Sequence, residues 1–328
     1  MRNILNIIVL FFIIINVSFA QDKKIAYCSN DTESGYIQIF IMNEDGSEKK
    51  QLTDISENCM HPQWSPDGKQ LVFYTDRGYI YLLRDINSTS PSNLFYLYNG
   101  IYPTFMPSGD QVIYNDEVDE VLSIMVIDTA QYGAEPQMIS DGGYSNMFVL
   151  SADGNKIYFS TFEGATKVIK VMDLEDTTSN YIKQISKNDE ASLEPDVSMD
   201  GSKVVYATFN SNLQGTVRIL ENGSETPLTK GMTSCNVPRF SPDGDKIAFV
   251  SIDGSDVSLY VMNTDGSNKR NLRAQGGDIG TFRWINDSEI LYDAGSETST
   301  SIGIVDAVGG DNVILASGGF NLHPVMQK

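Results

Sequence analysis

The sequence predicts an all-β fold, a single β-propeller of seven four-stranded blades closed by N- and C-terminal strands in one blade. Three observations lead to this prediction. A β-hairpin motif recurs along the chain, successive copies follow at 41 to 47 residues, and the two ends of the chain supply complementary parts of one further blade. A repeat of this length with four strands per unit is typical of propeller blades.

The recurring motif is first seen as HPQWSPDGKQLVFYTD, which begins at His61. Pro66 fixes φ and lacks an N–H, and Gly68 tolerates positive φ, so Pro-Asp-Gly predicts a tight turn. The flanking runs PQWS and QLVFYT are rich in aromatic and β-branched residues, as strands are. The turn position recurs at Gly109, Gly154, Gly201, Gly244 and Asp287.

The remaining strands of each blade follow its hairpin. An apolar run such as YIYLLRD or SLYVMN supplies the third strand, and a turn and a short fourth strand come next. NEDGS from Asn43 and NTDGS from Asn263 mark this last turn in two blades. Because the carboxylate spacing of an EF-hand loop is absent, we interpret these segments as turns, not as calcium sites.

The chain ends complete the seventh blade. KKIAYCS, around Ile25, matches a second strand, and His323-Pro324 near the C-terminus matches the start of a first strand at His61-Pro62. Pairing the C-terminal strand with three N-terminal strands would remove two exposed sheet edges. We therefore expect the segment from His323 to Met326 to pair near Ile25, with residues 21–328 forming one propeller domain.

Residues 1–20 have the pattern of a secretory signal peptide. Arg2 precedes the apolar run ILNIIVLFFIIINV, and Ser18-Phe19-Ala20 matches a cleavage site before Gln21. A membrane anchor is the alternative, although the apolar run is short for a bilayer crossing. The pattern predicts a periplasmic or secreted protein that does not span the membrane after cleavage.

Composition narrows the classes of partner. The chain has 23 Lys and Arg against 43 Asp and Glu, a formal charge of −20. Such a surface repels nucleic acid phosphates and suits a cationic or basic partner. The three cysteines, Cys28, Cys59 and Cys235, are a poor disulfide framework. We expect buried thiols, with a bond between two of them left open.

Three segments carry a resemblance to a known family. HPQWSPDGKQLVFYT, VPRFSPDGDKIAFVS and LYVMNTDGSNKRNL resemble the WD40-like P-D-G repeats of TolB-like propellers, named after the periplasmic propeller of the Tol system. The resemblance covers nearly the whole chain after residue 20 and implies a propeller that binds proteins in the cell envelope. The Tol protein has an N-terminal α/β domain and six blades, whereas seven repeats are counted here.

The sequence lacks the usual signatures of catalysis. It contains no G-x-S-x-G elbow, H-E-x-x-H motif, P-loop or dinucleotide fingerprint, and its two histidines are too few for a His-rich metal site. A carboxylate pair for glycoside hydrolysis stays open, because acidic residues are numerous. We therefore expect a non-catalytic protein without a cofactor or a metal.

Aligned repeats place one residue of each blade at the same position, just before its first strand. First strands line a propeller channel, so these residues should form a ring at one mouth. The ring comprises His61, Tyr102, Met147, Glu194, Val237, Thr281 and His323. Two positions further on lie Gln63, Thr104, Val149, Asp196, Arg239, Arg283 and Val325. These polar groups suit a polar ligand or a peptide end, whereas histidines that only cap strands are the alternative.

The same mouth carries the loops between second and third strands. The most acidic of these loops is NDEVDE from Asn115, which contains Asp116, Glu117, Asp119 and Glu120. These carboxylates would form an acidic collar that steers a basic partner toward the mouth. The alternative is that they are only a solvated surface. The leading hypothesis is a propeller that binds a protein or peptide at this mouth. The alternative is a carbohydrate-binding propeller, or a polysaccharide lyase or hydrolase, that uses the polar ring.

Overall fold

The computed structural model describes residues 23–88, 93–130, 133–140, 144–178, 181–187, 189–309 and 312–328. The predicted signal peptide, residues 1–20, lies outside these ranges. The described residues form 28 strands in seven four-stranded sheets, which confirms the predicted seven-bladed propeller. Within the same ranges, no helix is long and apolar enough to cross a bilayer.

We number the blades along the chain. Blade 1 contains β1 (Lys24–Ser29), β2 (Gln38–Asn43), β3 (Lys50–Gln51) and β28 (Asn321–Met326). Blade 2 contains β4 (Cys59–Trp64), β5 (Leu71–Thr75), β6 (Tyr79–Leu83) and β7 (Leu94–Asn99). Blade 3 contains β8 (Ile101–Phe105), β9 (Gln111–Val118), β10 (Val121–Asp128) and β11 (Gln137–Met138). Blade 4 contains β12 (Asn146–Leu150), β13 (Lys156–Glu163), β14 (Thr166–Asp173) and β15 (Ile182–Gln184).

The last three blades follow the same order from inner to outer strand. Blade 5 contains β16 (Ala191–Val197), β17 (Lys203–Phe209), β18 (Gly215–Glu221) and β19 (Ser224–Pro227). Blade 6 contains β20 (Ser234–Phe240), β21 (Lys246–Asp253), β22 (Asp256–Asn263) and β23 (Arg270–Asn271). Blade 7 contains β24 (Asp278–Trp284), β25 (Glu289–Gly295), β26 (Thr300–Asp306) and β27 (Asn312–Ala316).

Blade 1 closes the ring as the sequence predicts. β28 pairs antiparallel with β1, so that Ile25 lies opposite Met326 and Ala26 lies opposite Val325. The indole of Trp64 in blade 2 donates a hydrogen bond of 3.1 Å to the Val325 carbonyl. The C-terminal strand is therefore held both by its own sheet and by the next blade.

The hydrophobic core is divided among the interfaces between blades. Seven clusters of buried side chains occupy the seven interfaces. Side chains of a strand alternate between its two faces, so in β1 Ile25 and Tyr27 pack toward blade 7 while Ala26 and Cys28 pack toward blade 2. Because both faces of the second strands are buried, these strands appear in the sequence as continuous apolar runs.

The turn after the inner strand is stabilised by its own side chains. In blade 2 the Gly68 N–H donates to the Ser65 carbonyl at 2.9 Å, and Gly68 has a φ of 69°. The Ser65 hydroxyl donates to an Asp67 carboxylate oxygen at 2.6 Å, which lowers the pKa of Asp67. The same Ser-to-Asp bond recurs in blades 4, 5 and 6. The repeated Ser-x-Asp-Gly run thus encodes a self-supporting turn.

The three cysteines are buried thiols. Cys28, Cys59 and Cys235 are free and fully inaccessible to solvent. Burial raises the pKa of each thiol, to about 12 for Cys59. Each therefore behaves as a small apolar core residue, as expected from the sequence.

Candidate functional site

Each inner strand bends where the sequence places its ring residue. The pairing of every inner strand with its neighbour shifts register at this point, as at a β-bulge. Six ring residues have φ between 47° and 58°: His61, Tyr102, Met147, Glu194, Val237 and His323. Residues other than glycine rarely adopt this left-handed backbone conformation, and those that do cluster at functional sites.

The ring lies inside the inner strands, which corrects the prediction that it precedes them. His61 is the third residue of β4, and His323 is the third residue of β28. In five of the six blades whose ring residue has positive φ, a proline follows that residue, as at Pro62 and Pro324. Proline has no N–H to pair, so it is tolerated at a bulge. The proline after the ring residue therefore indicates a bulge within the inner strand and not the start of that strand.

We call the end of the channel nearer the ring the loop mouth, because the connections between second and third strands lie there. The opposite end, which carries the turns at Gly68 and its equivalents, is the turn mouth. An inner strand runs from the loop mouth to the turn mouth. The ring residues are therefore close to the loop mouth, and the second set of predicted residues lies deeper in the channel.

The structure brings three predicted ring residues into one aromatic cluster. The imidazoles of His61 and His323 stack with their centroids 3.6 Å apart and an interplanar angle of 22°. Tyr102 meets the ring of His61 edge-on at 5.1 Å. Tyr74 of β5, which the sequence analysis missed, stacks on His61 at 5.7 Å. The cluster joins blades 1, 2 and 3 at the channel wall.

Both histidines are held in the neutral form. Burial, followed by the neighbouring His323 and Arg283, lowers the pKa of His61 to about 3. Burial and then Arg283 lower the pKa of His323 to about 4. The His323 Nδ1 atom is buried and has no hydrogen-bond partner among the described residues. The channel wall therefore contains two neutral, partly buried imidazoles.

The two predicted carboxylates of blade 5 accept hydrogen bonds from the backbone of blade 6. Glu194 accepts a hydrogen bond from the Val237 N–H at 2.6 Å, and Asp196 accepts one from the Phe240 N–H at 2.7 Å. Burial raises the pKa of Asp196, whereas Arg239 lowers it. These contacts replace ladder hydrogen bonds that the bulged strand β20 cannot make within its own sheet, so both carboxylates position the channel wall.

The two predicted arginines lie in the deeper layer. Arg239 of β20 donates from Nη1 to the Pro238 carbonyl at 2.7 Å. Arg283 of β24 occupies the equivalent position in the next blade and is accessible to solvent within the channel. Desolvation by the surrounding strands, followed by repulsion from Arg239, lowers the pKa of Arg283 to about 10.

The acidic segment of blade 3 is a hairpin, where the sequence analysis expected a loop. Asp116 and Glu117 lie within β9, and the tip consists of Asp119 and Glu120, with φ of 51° and 65°. Partial burial raises the pKa of Asp116, whereas the hydrogen bond from the Glu117 N–H opposes this. The other three side chains are exposed, so the hairpin presents acidic groups beside the loop mouth.

Two further features escaped the sequence analysis. Asp293 of β25 is buried and accepts hydrogen bonds from the Thr281 N–H at 3.2 Å and from the His323 N–H at 2.9 Å. Burial raises its pKa. Tyr144 and Phe162 of blade 4 are each 44% exposed and meet at 6.3 Å, with the Lys167 ammonium near both rings. Unlike the ring residues, none of these shares a repeated position that would have singled it out.

Comparison with known proteins identifies the family. A family model described as the TolB β-propeller domain matches residues 18–184, about half of the chain. The chain belongs to this family. The Tol-Pal system protein TolB of Francisella tularensis is 26% identical over 74% of this chain, which spans 57% of that relative's length.

Solved structures share the fold at lower identity. The crystal structure of TolB from Acinetobacter baumannii matches 93% of this chain with 18% identity and a TM-score of 0.58. The chain spans 66% of that protein. A puromycin hydrolase matches 91% of this chain with 13% identity and a TM-score of 0.71, over 52% of its own length. At these identities the likeness shows the propeller fold alone.

Proposed function

We propose that this chain is an exported, non-catalytic TolB-like propeller that binds a protein partner at its loop mouth. One observation carries the proposal, the cluster of exposed apolar side chains that adjoins the acidic hairpin at this mouth. The name of the Francisella relative, Tol-Pal system protein TolB, further supports an assembly with other proteins. Export to the periplasm or beyond rests on the predicted signal peptide, residues 1–20.

The apolar part of this surface lies on blades 3 and 4. Tyr102 is 51% exposed, and Met147 on the next inner strand is 45% exposed. Tyr144 and Phe162 extend the surface outward from Met147 on the same blade. Aromatic side chains and methionine are enriched at protein interfaces, where aromatic anchors supply much of the binding energy.

The charged part of the surface fixes the chemistry of the partner. Asp116, Glu117, Asp119 and Glu120 lie on blade 3, the same blade as Tyr102. A complementary segment would present an apolar side chain flanked by Lys or Arg. Because rim charges mainly steer the encounter, added salt should slow association more than it speeds dissociation.

Quantitative binding with matched variants tests the proposal. A partner captured from an envelope fraction of the source organism would be purified and its Kd measured by surface plasmon resonance. D119N/E120Q should weaken binding and reduce its salt dependence, and Y144S/F162S should weaken binding at every salt concentration. The control E44Q/E175Q removes two exposed carboxylates at the turn mouth and should change nothing. Equal affinity of all four proteins for the partner would contradict the proposal.

A carbohydrate ligand is the second candidate, supported by the aromatic cluster of Tyr102, His61 and His323 in the channel wall. Sugar rings pack on such faces, and the neighbouring polar groups would bind hydroxyls. Glycan-array binding that is lost in Tyr102→Ala, with unchanged binding by E44Q/E175Q, would favour this candidate. Steady release of product from a polysaccharide would show that the protein is an enzyme.

A further inference from the structure

The deeper layer of the channel has an uneven distribution of charge. Asp196, Arg239 and Arg283 occupy equivalent positions on the inner strands of blades 5, 6 and 7, opposite Val205, Ala248 and Leu291 of their second strands. The corresponding residues of the other four blades are uncharged: Val325, Gln63, Thr104 and Val149. Two guanidinium groups therefore share this layer with one carboxylate, in a chain whose formal charge is −20.

The carboxylates around the channel are already engaged. Asp196 accepts the Phe240 N–H, Glu194 accepts the Val237 N–H, and Asp293 accepts two N–H groups from blades 7 and 1. None of them forms an ion pair with Arg283 within the described residues. These carboxylates hold backbone in place and leave that guanidinium without a direct counter-charge.

Arg283 is the group with unused binding capacity. Its side chain makes no hydrogen bond or ion pair with any described residue, yet it carries five N–H donors. Two residues before it, the Thr281 N–H shares the acceptor Asp293 with the His323 N–H, so Arg283 lies on the channel wall beside His323. Its charge helps to lower the pKa of both histidines. The buried Nδ1 of His323, on the adjacent blade, also lacks a partner. The unsatisfied guanidinium of Arg283 and the partly exposed imidazole of His323 therefore lie on the same side of the channel.

We propose that the channel binds a carboxylate group between the Arg283 guanidinium and the imidazole of His323. The planar fork of arginine matches the two oxygens of a carboxylate, and an Nε2–H tautomer of His323, whose Nε2 atom is not enclosed as Nδ1 is, would supply a further donor. Asp196 offsets part of the positive charge of the two arginines, which favours a singly charged carboxylate over a doubly charged phosphate. This site is deeper than the proposed protein-binding surface and does not depend on it.

A carboxylate in the channel could come from the end of a peptide or from a small organic acid. Calorimetric titrations would therefore use N-acetyl-trialanine with a free carboxylate, the same peptide as its C-terminal amide, and propionate. We expect the free acid to bind and the amide to give no heat. Binding of propionate as well would identify small acids as ligands, whereas binding of the peptide alone would identify a chain end.

Variants separate the site from general effects of charge. R283Q removes a pair of charge-assisted hydrogen bonds to the ligand, and the loss of binding free energy from such a pair is large. R283Q should therefore weaken binding of the free acid at least about tenfold. R283K, which keeps the charge without the fork, should fall between R283Q and the unchanged protein. R77Q removes an exposed arginine of the turn after β5 and should bind normally. Circular dichroism and thermal melting would confirm that each variant is folded.

The histidines give a second readout that does not depend on heat. NMR titration of the imidazole protons should show the pKa of His323, and to a lesser extent that of His61, rising when the free acid is present, because the bound negative charge favours the imidazolium form. The amide should leave both values unchanged. Absence of binding by both acids, or an R283Q affinity equal to that of the unchanged protein, would overturn the proposal.

Discussion

Lowering the pH from 8 to 5 should destabilise the fold through its two histidines. The folded channel wall holds the pKa of His61 at about 3 and that of His323 at about 4, first because burial penalises the imidazolium. In the unfolded chain both pKa values return to about 6.5. The unfolded state therefore binds protons that the folded state does not, and stability falls as the pH drops below about 6.5.

The size of the effect follows from these values. At pH 5 an unfolded histidine with a pKa of about 6.5 gains about 2 kcal/mol from protonation, at about 1.4 kcal/mol per pKa unit. The two histidines together should remove about 4 kcal/mol between pH 8 and pH 5. The loss levels off near pH 4 to 3, where His323 and then His61 protonate in the folded state. This is a large part of the about 5–15 kcal/mol that stabilises a typical domain.

Urea unfolding of the unchanged protein and of H61N/H323N measures this term. Asparagine suits both positions, because their φ values of 48° and 52° lie in the left-handed region that asparagine adopts readily. The chain has only these two histidines, so the double variant has none. Carboxylates titrate in both proteins and largely cancel in the difference. Parallel curves of unfolding free energy against pH from 8 to 5 would refute the reasoning.

Three further predictions concern closure and packing. Trp64→Phe should cost about 1 kcal/mol in urea unfolding, because it removes the buried hydrogen bond from the indole to the Val325 carbonyl that joins blade 2 to β28; Trp284→Phe, at a less buried indole, should cost less, and equal stability of Trp64→Phe and the unchanged protein would contradict this. Deletion of residues 321–328 removes β28 and should lower Tm by about 10 °C or more; an unchanged Tm would refute closure through β28. The three buried thiols should resist iodoacetamide until urea unfolds the protein, and modification of the folded chain would show that the interfaces open.

The repeat predicted the fold because the same physical problem is solved seven times. Each second strand buries both faces between neighbouring blades, so its apolar run is conspicuous in the sequence, as in LVFYT from Leu71. Each turn needs a residue with positive φ, which places glycine at positions such as Gly68. The two partial units at the chain ends predicted the closing pair, β1 with β28. Local chemistry repeated at a fixed spacing is therefore sufficient to count blades.

The bulge of the inner strands was less predictable, although its signal was present. Proline after the ring residue, as in His61-Pro62, was interpreted as a strand start, whereas it marks an unpaired position within β4. The bulge moves backbone N–H groups out of register and creates a need for other acceptors. Glu194, Asp196 and Asp293 meet that need through contacts between blades. Such contacts join residues that are 30 to 44 positions apart in the chain, so no short sequence motif predicts them.

Net charge gave an incomplete account of the ligand chemistry. The sum of −20 is dominated by side chains on the outer surface, and it predicted a basic partner. Inside the channel the sign depends on which groups already have partners. Asp196 is bonded to backbone, whereas Arg283 is not bonded to any described group. Enclosing strands screen a charge far less than solvent does. One unpaired guanidinium can therefore favour an anionic ligand inside the channel, while the acidic exterior attracts a cationic partner.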